Sequence, residues 1–168
     1  AGLPPYETIA ELAAARGTSP METFIDIAVE SDLNMFFMQA AANHDQDRVL
    51  EFLRHPQAIP TFSDSGAHVS QIMDSSLQTH MLGHWVRNEQ AFTIEQAVHR
   101  MTQVPATAWG FLDRGVIAPG MAADINVFDL GTVTPDMPEL VYDLPGGARR
   151  LRQTASGFRA TLVNGQVL

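Results

Sequence analysis

A chain of 168 residues with 45% hydrophobic content carries enough apolar side chain for a domain with a real core, which sets aside a disordered chain. Its net charge of −9 argues against a nucleic-acid partner, because neutralising phosphates needs clustered cations. There is no Cys, and all ten cationic residues are Arg, so disulfides, thiol nucleophiles, Schiff-base lysines and carbamylated metal-bridging lysines are excluded within this chain.

Residues 7–16, ETIAELAAAR, read as a helix with Ile9, Leu12 and Ala13 on one face and Gly17 as the stop. A second helix starts at Ser19, where SPME forms a capping box: Ser19 as N-cap, Pro20 at the first helical position and Glu22 three residues after the cap. LNMFFMQ (33–39) suits a buried strand, and DQDRVLEFLR (45–54) a helix with Val49, Leu50 and Leu53 inward. AIPTFS (58–63) is a second apolar strand candidate, weakened by Pro60. SSLQTHMLGHWVR (75–87) reads as a helix, TIEQ (93–96) repeats the capping-box logic before another, and PATAWGF (105–111) makes a short last turn. This alternation is that of βα units with parallel strands.

From about residue 112 Gly, Pro and short β-type runs take over: 124–130, 139–144, 150–155 and 158–168. The last holds Asn164-Gly165 between apolar runs, a two-residue hairpin signal, so this half reads as a small antiparallel β module. Two parallel strands cannot close a barrel, so the rest of the sheet is expected upstream. The sequence opens with neither an initiator Met nor a cationic-plus-apolar leader, so it is expected to begin inside a longer protein or after processing. No apolar run approaches a membrane span, and the expected compartment is the cytoplasm.

Few residues offer chemistry. TFSDSGAHVSQIMD (61–74) places Asp64 directly after an apolar run. Asp64 is a catalytic carboxylate if that run is a barrel strand, since barrel enzymes carry such residues at strand C-terminal ends; Asp-Ser-Gly is equally ordinary Asx-turn chemistry. His68 offers three roles: orienting Asp64, contacting substrate or capping the next helix, and a supporting role is favoured over metal ligation. Ser63 and Ser65 with His68 invite a nucleophilic triad, but no G-x-S-x-G elbow occurs. His80 and His84 share a helix face at i, i+4, yet Met81 stands where the H-E-x-x-H motif requires Glu, which favours a structural pair. In AANHDQD (41–47), Asn43, His44 and Asp45 either contact substrate or cap the next helix. Asp124 and Asn126 are expected to hold turns and strand ends, and Arg149, Arg150 and Arg152 to form a solvated or salt-bridged edge.

DRGVIAPGMAADINVFD (113–129) resembles the C-terminal signature of the amidohydrolase superfamily, and ATLVNGQVL its closing hairpin. FSDSGAHV, THMLGHWVR, MTQVPATAWGF and DLPGGARRLRQTASGFRATLVNG, in that order, resemble the N-acyl-D-amino-acid deacylase (D-aminoacylase) branch. The resemblance implies an α/β chain: the C-terminal fragment of a (β/α)₈ TIM-type barrel, its last two strands and helices in residues 1–111, then the C-terminal share of a small β-sandwich in 112–168. It implies a zinc-dependent hydrolase of N-acyl amino acids whose metal ligands lie mostly on earlier strands, with none in this chain apart from a possible role for Asp64. It implies that Asp64 is the eighth-strand aspartate, taking a proton from metal-bound water and returning it to the leaving amine. His68, Ser65 and Asn43 become substrate-contacting or supporting side chains. The expected partners are a small-molecule substrate and either a second copy or the rest of its own chain, because a partial barrel exposes apolar edges. Two alternatives stay open: a non-catalytic scaffold or oligomerisation module, and another amidohydrolase of cyclic-imide or urea type.

Overall fold

The structure, a computed structural model, describes residues 7–39, 42–61, 63, 65–67 and 75–168. The chain divides into two compact units, residues 2–46 and residues 47–168.

In the first unit α1 (Ile9–Arg16) pairs with α2 (Pro20–Glu30). The predicted box opens α2: Ser19 Oγ accepts from the Glu22 N–H at 3.3 Å and Glu22 Oε2 accepts from the Ser19 N–H at 3.0 Å. Thr8 and Glu11 make the same reciprocal pair at 3.1 and 2.7 Å, so α1 starts later than predicted, with Thr8 extended as its cap. Gly17, at φ 70, closes α1 in the left-handed conformation that only glycine adopts without cost. Arg16 reaches both carboxylate oxygens of Glu30 at 3.1 and 3.2 Å, and the hydroxyls of Thr18 and buried Thr23 meet at 2.6 Å.

The strand predicted over 33–39 is not formed. Asp32 and Leu33 turn the chain with φ of 52° and 59°, and residues 34–39 carry no ladder. A strand exists only through a hydrogen-bonded neighbouring strand, and among the described residues this run has none. Phe37 instead sets its ring 4.3 Å from that of Phe24. Among the described residues the run 58–61 likewise joins no ladder, and Pro60 removes one of its donors.

The second unit opens with α3 (Gln46–Arg54), whose Val49, Leu50 and Leu53 pack against a core of Met81, Trp85, Val86, Phe92 and Ala97. The helix predicted over 75–87 begins as α4 (Leu77–His80) and runs on as a π-helix over Met81–Asn88; Glu89 N–H reaches the His84 carbonyl, five residues back, at 2.9 Å. α5 (Ile94–Met101) starts in the predicted box, Thr93 with Gln96 at 3.2 and 3.0 Å. α6 (Gln103–Trp109) is longer than the predicted turn, because Pro105 sits in its first turn, where no intrahelical donor is required.

Seven short strands follow: β1 (Ile125–Phe128), β2 (Thr134–Pro135), β3 (Glu139–Leu144), β4 (Ala148–Arg152), β5 (Ala155–Ser156), β6 (Phe158–Val163) and β7 (Gln166–Val167). They form ladders β1–β6–β7, β2–β5 and β3–β4, all antiparallel as expected. Asn164 and Gly165, at φ 49 and 79, make the predicted β6–β7 turn. Across β3–β4, Arg150 grips Asp143 through two 2.7 Å bonds and Arg152 pairs with Glu139, so two of the three clustered arginines form a salt-bridged edge. Among the described residues no helix is long and apolar enough to cross a membrane.

The helix Leu77–Asn88 meets the chain before β2 closely. Arg87 Nη1 donates to the carbonyls of Leu130 at 3.2 Å and Val133 at 2.6 Å. Val133 is fully buried, and a Cβ on Gly157 would fall 2.5 Å from its backbone nitrogen and Cα.

Candidate functional site

Asp64 and His68 lie outside the described residues. Around them, Ser65 is exposed in a turn over 65–67, and its N–H donates to Ser63 Oγ at 3.3 Å. That bond, a hydroxyl taking the amide two residues on, is the local turn chemistry that SDS predicts. It holds Ser63 and Ser65 to each other, and neither contacts an imidazole among the described residues.

Asn43 belongs to the unit 2–46 and Ser65 to the unit 47–168. Asn43 is exposed and left-handed at φ 58, a region Asn tolerates, and its carbonyl accepts from Gln46 Nε2 at 2.9 Å. The bond fixes the turn into α3 through the Asn43 backbone carbonyl.

The His80 and His84 rings stack 4.7 Å apart at 22°, and His84 lies edge-on to Trp85 at 4.5 Å. Burial pushes His80 down to about 4, reinforced by the His84 charge. Burial also lowers His84, partly offset by Glu89, whose carboxylate is 3.9 Å away. A neutral, stacked, half-buried pair against the core tryptophan is a packing element, as the missing H-E-x-x-H glutamate implies. Among the described residues no three His, Asp or Glu side chains group as a metal set, so these residues do not by themselves fit zinc.

In the β half, Asp124 works as expected of a turn holder. Its Oδ1 accepts from the Asn164 N–H at 2.8 Å and its other oxygen from Arg114; those bonds, the amide first, hold its carboxyl below the usual carboxylate range. Asn126 Oδ1 accepts from the Thr161 hydroxyl at 2.9 Å across β1–β6. Arg87, with its two carbonyl acceptors, went unmarked by sequence reasoning; a lone Arg after an apolar helix carries no local signal of the backbone it will meet.

The model of the amidohydrolase family matches residues 1–168. An N-acyl-D-glutamate deacylase of Alcaligenes xylosoxydans xylosoxydans is 39% identical over 87 residues, 52% of this chain and 16% of that protein. A dihydroorotase of Lactobacillus johnsonii is 44% identical over 46 residues, 27% of this chain and 11% of its own length. The crystal structure of the N-acyl-D-glutamate deacylase of Bordetella bronchiseptica, complexed with zinc and a phosphonate mimic of the tetrahedral intermediate, superposes with a TM-score of 0.51 at 27% identity, covering 95% of this chain and 30% of that one. The chain thus spans less than a third of the length of these relatives. The resemblance to the N-acyl-D-amino-acid deacylase branch is borne out by these likenesses. On the match along its whole length, the chain belongs to the amidohydrolase family.

Proposed function

We infer that the chain is the C-terminal share of a hydrolase that cleaves the amide bond of N-acyl-D-amino acids, releasing a carboxylic acid and a free amino acid. Residues 1–111 contribute to a (β/α)₈ barrel and residues 112–168 to a small β-sandwich. The observation that carries this reading is the superposition on the zinc- and phosphonate-bound deacylase over 95% of the chain. A phosphonate mimicking the tetrahedral intermediate fits a protein in which water adds to the acyl carbon.

Asp64 carries the proton in this reading. Its carboxylate takes a proton as water oxygen bonds to the carbonyl carbon; when the C–N bond breaks, the same proton goes to the leaving nitrogen. The acyl product leaves as the acid and the nitrogen as the amine. His68 orients the Asp64 carboxylate, and Ser65 contributes a polar contact to the small-molecule substrate. Zinc, whose ligands would come mostly from the rest of the parent protein, would supply polarisation of the carbonyl and activation of water.

The full-length parent, assayed with N-acyl-D- and N-acyl-L-amino acids, should hydrolyse the D series. The isolated chain should show neither turnover nor near-stoichiometric zinc; finding both would sink the proposed division of labour. The likeness to dihydroorotase over 46 residues supports a second reading, hydrolytic opening of a cyclic amide, with Asp64 in the same role. A parent that opens cyclic amides and ignores N-acyl amino acids decides for it.

A further inference from the structure

The β6–β7 turn carries a reactive dipeptide. Asn164 is the one asparagine of the chain that precedes a glycine. Glycine has no Cβ, so nothing on residue 165 shields its backbone nitrogen from the side chain before it. Both residues are exposed and left-handed, at φ 49° and 79°, so water reaches the turn. In such a dipeptide the glycine nitrogen, once it has lost its proton to water, can bond to the asparagine Cγ. The Cγ–Nδ2 bond breaks, the side-chain nitrogen leaves as ammonia, and a succinimide ring remains. Water then opens the ring at either carbonyl and leaves aspartate or isoaspartate. The sum is one water in and one ammonia out, with no oxidant or reductant.

Ring closure requires the Asn164 Cγ and the Gly165 nitrogen to meet, and the fold draws them to different partners. The Gly165 N–H donates to the Ala123 carbonyl at 2.9 Å, so the nucleophile keeps its proton inside a hydrogen bond. Asn164 Oδ1 accepts from Arg114 Nη2 at 3.0 Å, and the Asn164 N–H donates to Asp124 Oδ1 at 2.8 Å. Arg114 Nη1 pairs with the other oxygen of Asp124, and its Nε lies 3.7 Å from the Asp113 carboxylate. One guanidinium thus ties the asparagine side chain to the carboxylate that already holds the asparagine backbone.

We propose that Asn164-Gly165 is a latent deamidation site, kept closed by the knot of Arg114, Asp124 and the Ala123 carbonyl and modified when the hairpin opens locally. Opening of a surface turn needs far less free energy than global unfolding, so the knot sets the rate. The products alter the turn. Aspartate at position 164 places a third carboxylate around Arg114, beside those of Asp113 and Asp124. Isoaspartate adds a methylene to the backbone, and the two-residue turn no longer has the length that pairs Val163 with Gln166. The inference is independent of the role given to Asp64.

The test follows the full-length protein at neutral pH by mass spectrometry of the peptide that bears residues 164–165, with the aspartate and isoaspartate forms separated. Folded wild type should deamidate at least roughly tenfold more slowly than the same protein in urea. Arg114→Gln should speed the folded protein by roughly threefold to tenfold. Arg114→Lys keeps a cation for Asp124 but lacks the planar fork that also reaches Asn164, and should give a smaller acceleration. Gly146→Ala strains the β3–β4 turn away from the knot and should leave the rate within about twofold of wild type. Equal rates in folded and urea-unfolded wild type overturn the proposal, as does an Arg114→Gln rate equal to that of wild type. Acceleration by Gly146→Ala as large as that by Arg114→Gln assigns control to global unfolding and overturns it too. Should Arg114→Gln fail to fold, Arg114→Lys decides: a faster rate supports the knot, an unchanged rate overturns it.

Discussion

Two parts of this molecule are built from similar apolar runs and end differently. In β1–β6–β7 and β3–β4, short runs rich in Val, Leu and Phe find antiparallel partners inside the same unit, and the arginine-carboxylate pairs of β3–β4 seal one edge. The runs 33–39 and 58–61 are as apolar, yet none of their described residues joins a ladder. The difference lies in the partners and not in the side chains. A hairpin carries its neighbour next to it in sequence, whereas a parallel strand depends on a strand a whole βα unit away. In the proposed barrel those neighbours come from the rest of the parent. Stability of this chain should therefore report the β module and its helices, while catalysis, on the proposed role of Asp64, depends on the end of the second of these runs.

The largest effect should fall on activity and spare stability. In the full-length parent, Asp64→Asn removes the proposed proton carrier, with an expected loss of about 10²–10⁴-fold in kcat. Zinc content and the thermal midpoint should stay at wild-type values. A variant that loses both turnover and fold would break the contrast, since it would make Asp64 part of the structural half. Retained activity would return Asp64 to the turn role that Ser63 and Ser65 already display.

Next in size is a change confined to the β module. Gly157 has φ +89 and its missing Cβ would lie 2.5 Å from Val133 backbone atoms. Gly157→Ala adds backbone strain and a clash with a buried neighbour, together about 2–5 kcal/mol. Gly146, at φ +73 with nothing within 4 Å, isolates the strain alone, so Gly146→Ala should cost about 1–2 kcal/mol. Urea unfolding midpoints of the two variants separate these; equal shifts would mean that Val133 has room to move.

How far the sequence discloses these features follows the same division. The capping boxes at Ser19 and Thr93 and the Asn164-Gly165 turn are legible because each is complete within four residues. β2 and β5 are not legible: a two-residue ladder follows from where Val133 and Gly157 are wedged, not from any local alternation. The π-helix is equally hidden. Met81, Leu82, Trp85 and Val86 are all buried, and that i, i+1, i+4, i+5 spacing fits an α-helix as well. Of the site, the residue types of SDSGAH could be read, but the clamp from Arg87 to Leu130 and Val133 spans more than forty positions and meets backbone, which has no sequence identity.

A pH series sharpens the contrast from the helical side. His80 titrates at about 4 when folded against 6.5 as its ordinary value, because burial disfavours the charged ring. Between those values the unfolded chain binds more protons than the folded one, so stability rises with pH. The contribution is fully present above 6.5 and is lost as pH falls towards 4. The lowered carboxylates of Asp124, Asp136 and Asp143 act in a separate, more acid window: their stabilisation is present above 3.8 and fades as pH drops below it. Urea midpoints between pH 7 and 4 should therefore decline in the wild type and flatten in His80→Gln. An unchanged slope in that variant would assign the decline elsewhere.

The smallest effect tests whether the unit 2–46 behaves as locally as its sequence reads. Ser19→Ala removes one hydroxyl that accepts from the Glu22 N–H and donates to Glu22 Oε2 at 2.8 Å, on an exposed surface. Loss of an N-cap of this kind costs about 1 kcal/mol, and Ser19→Asp, which keeps an acceptor at the helix N-terminus, should recover most of it. Because α1 and α2 are joined by Arg16–Glu30 and by Thr18–Thr23, the loss should appear as faster amide exchange in α2 first. If exchange instead rises equally in β3–β4, the two units unfold together. The local character inferred for α1 and α2 from two complete capping boxes would then be a property of their hydrogen bonds and not of their stability.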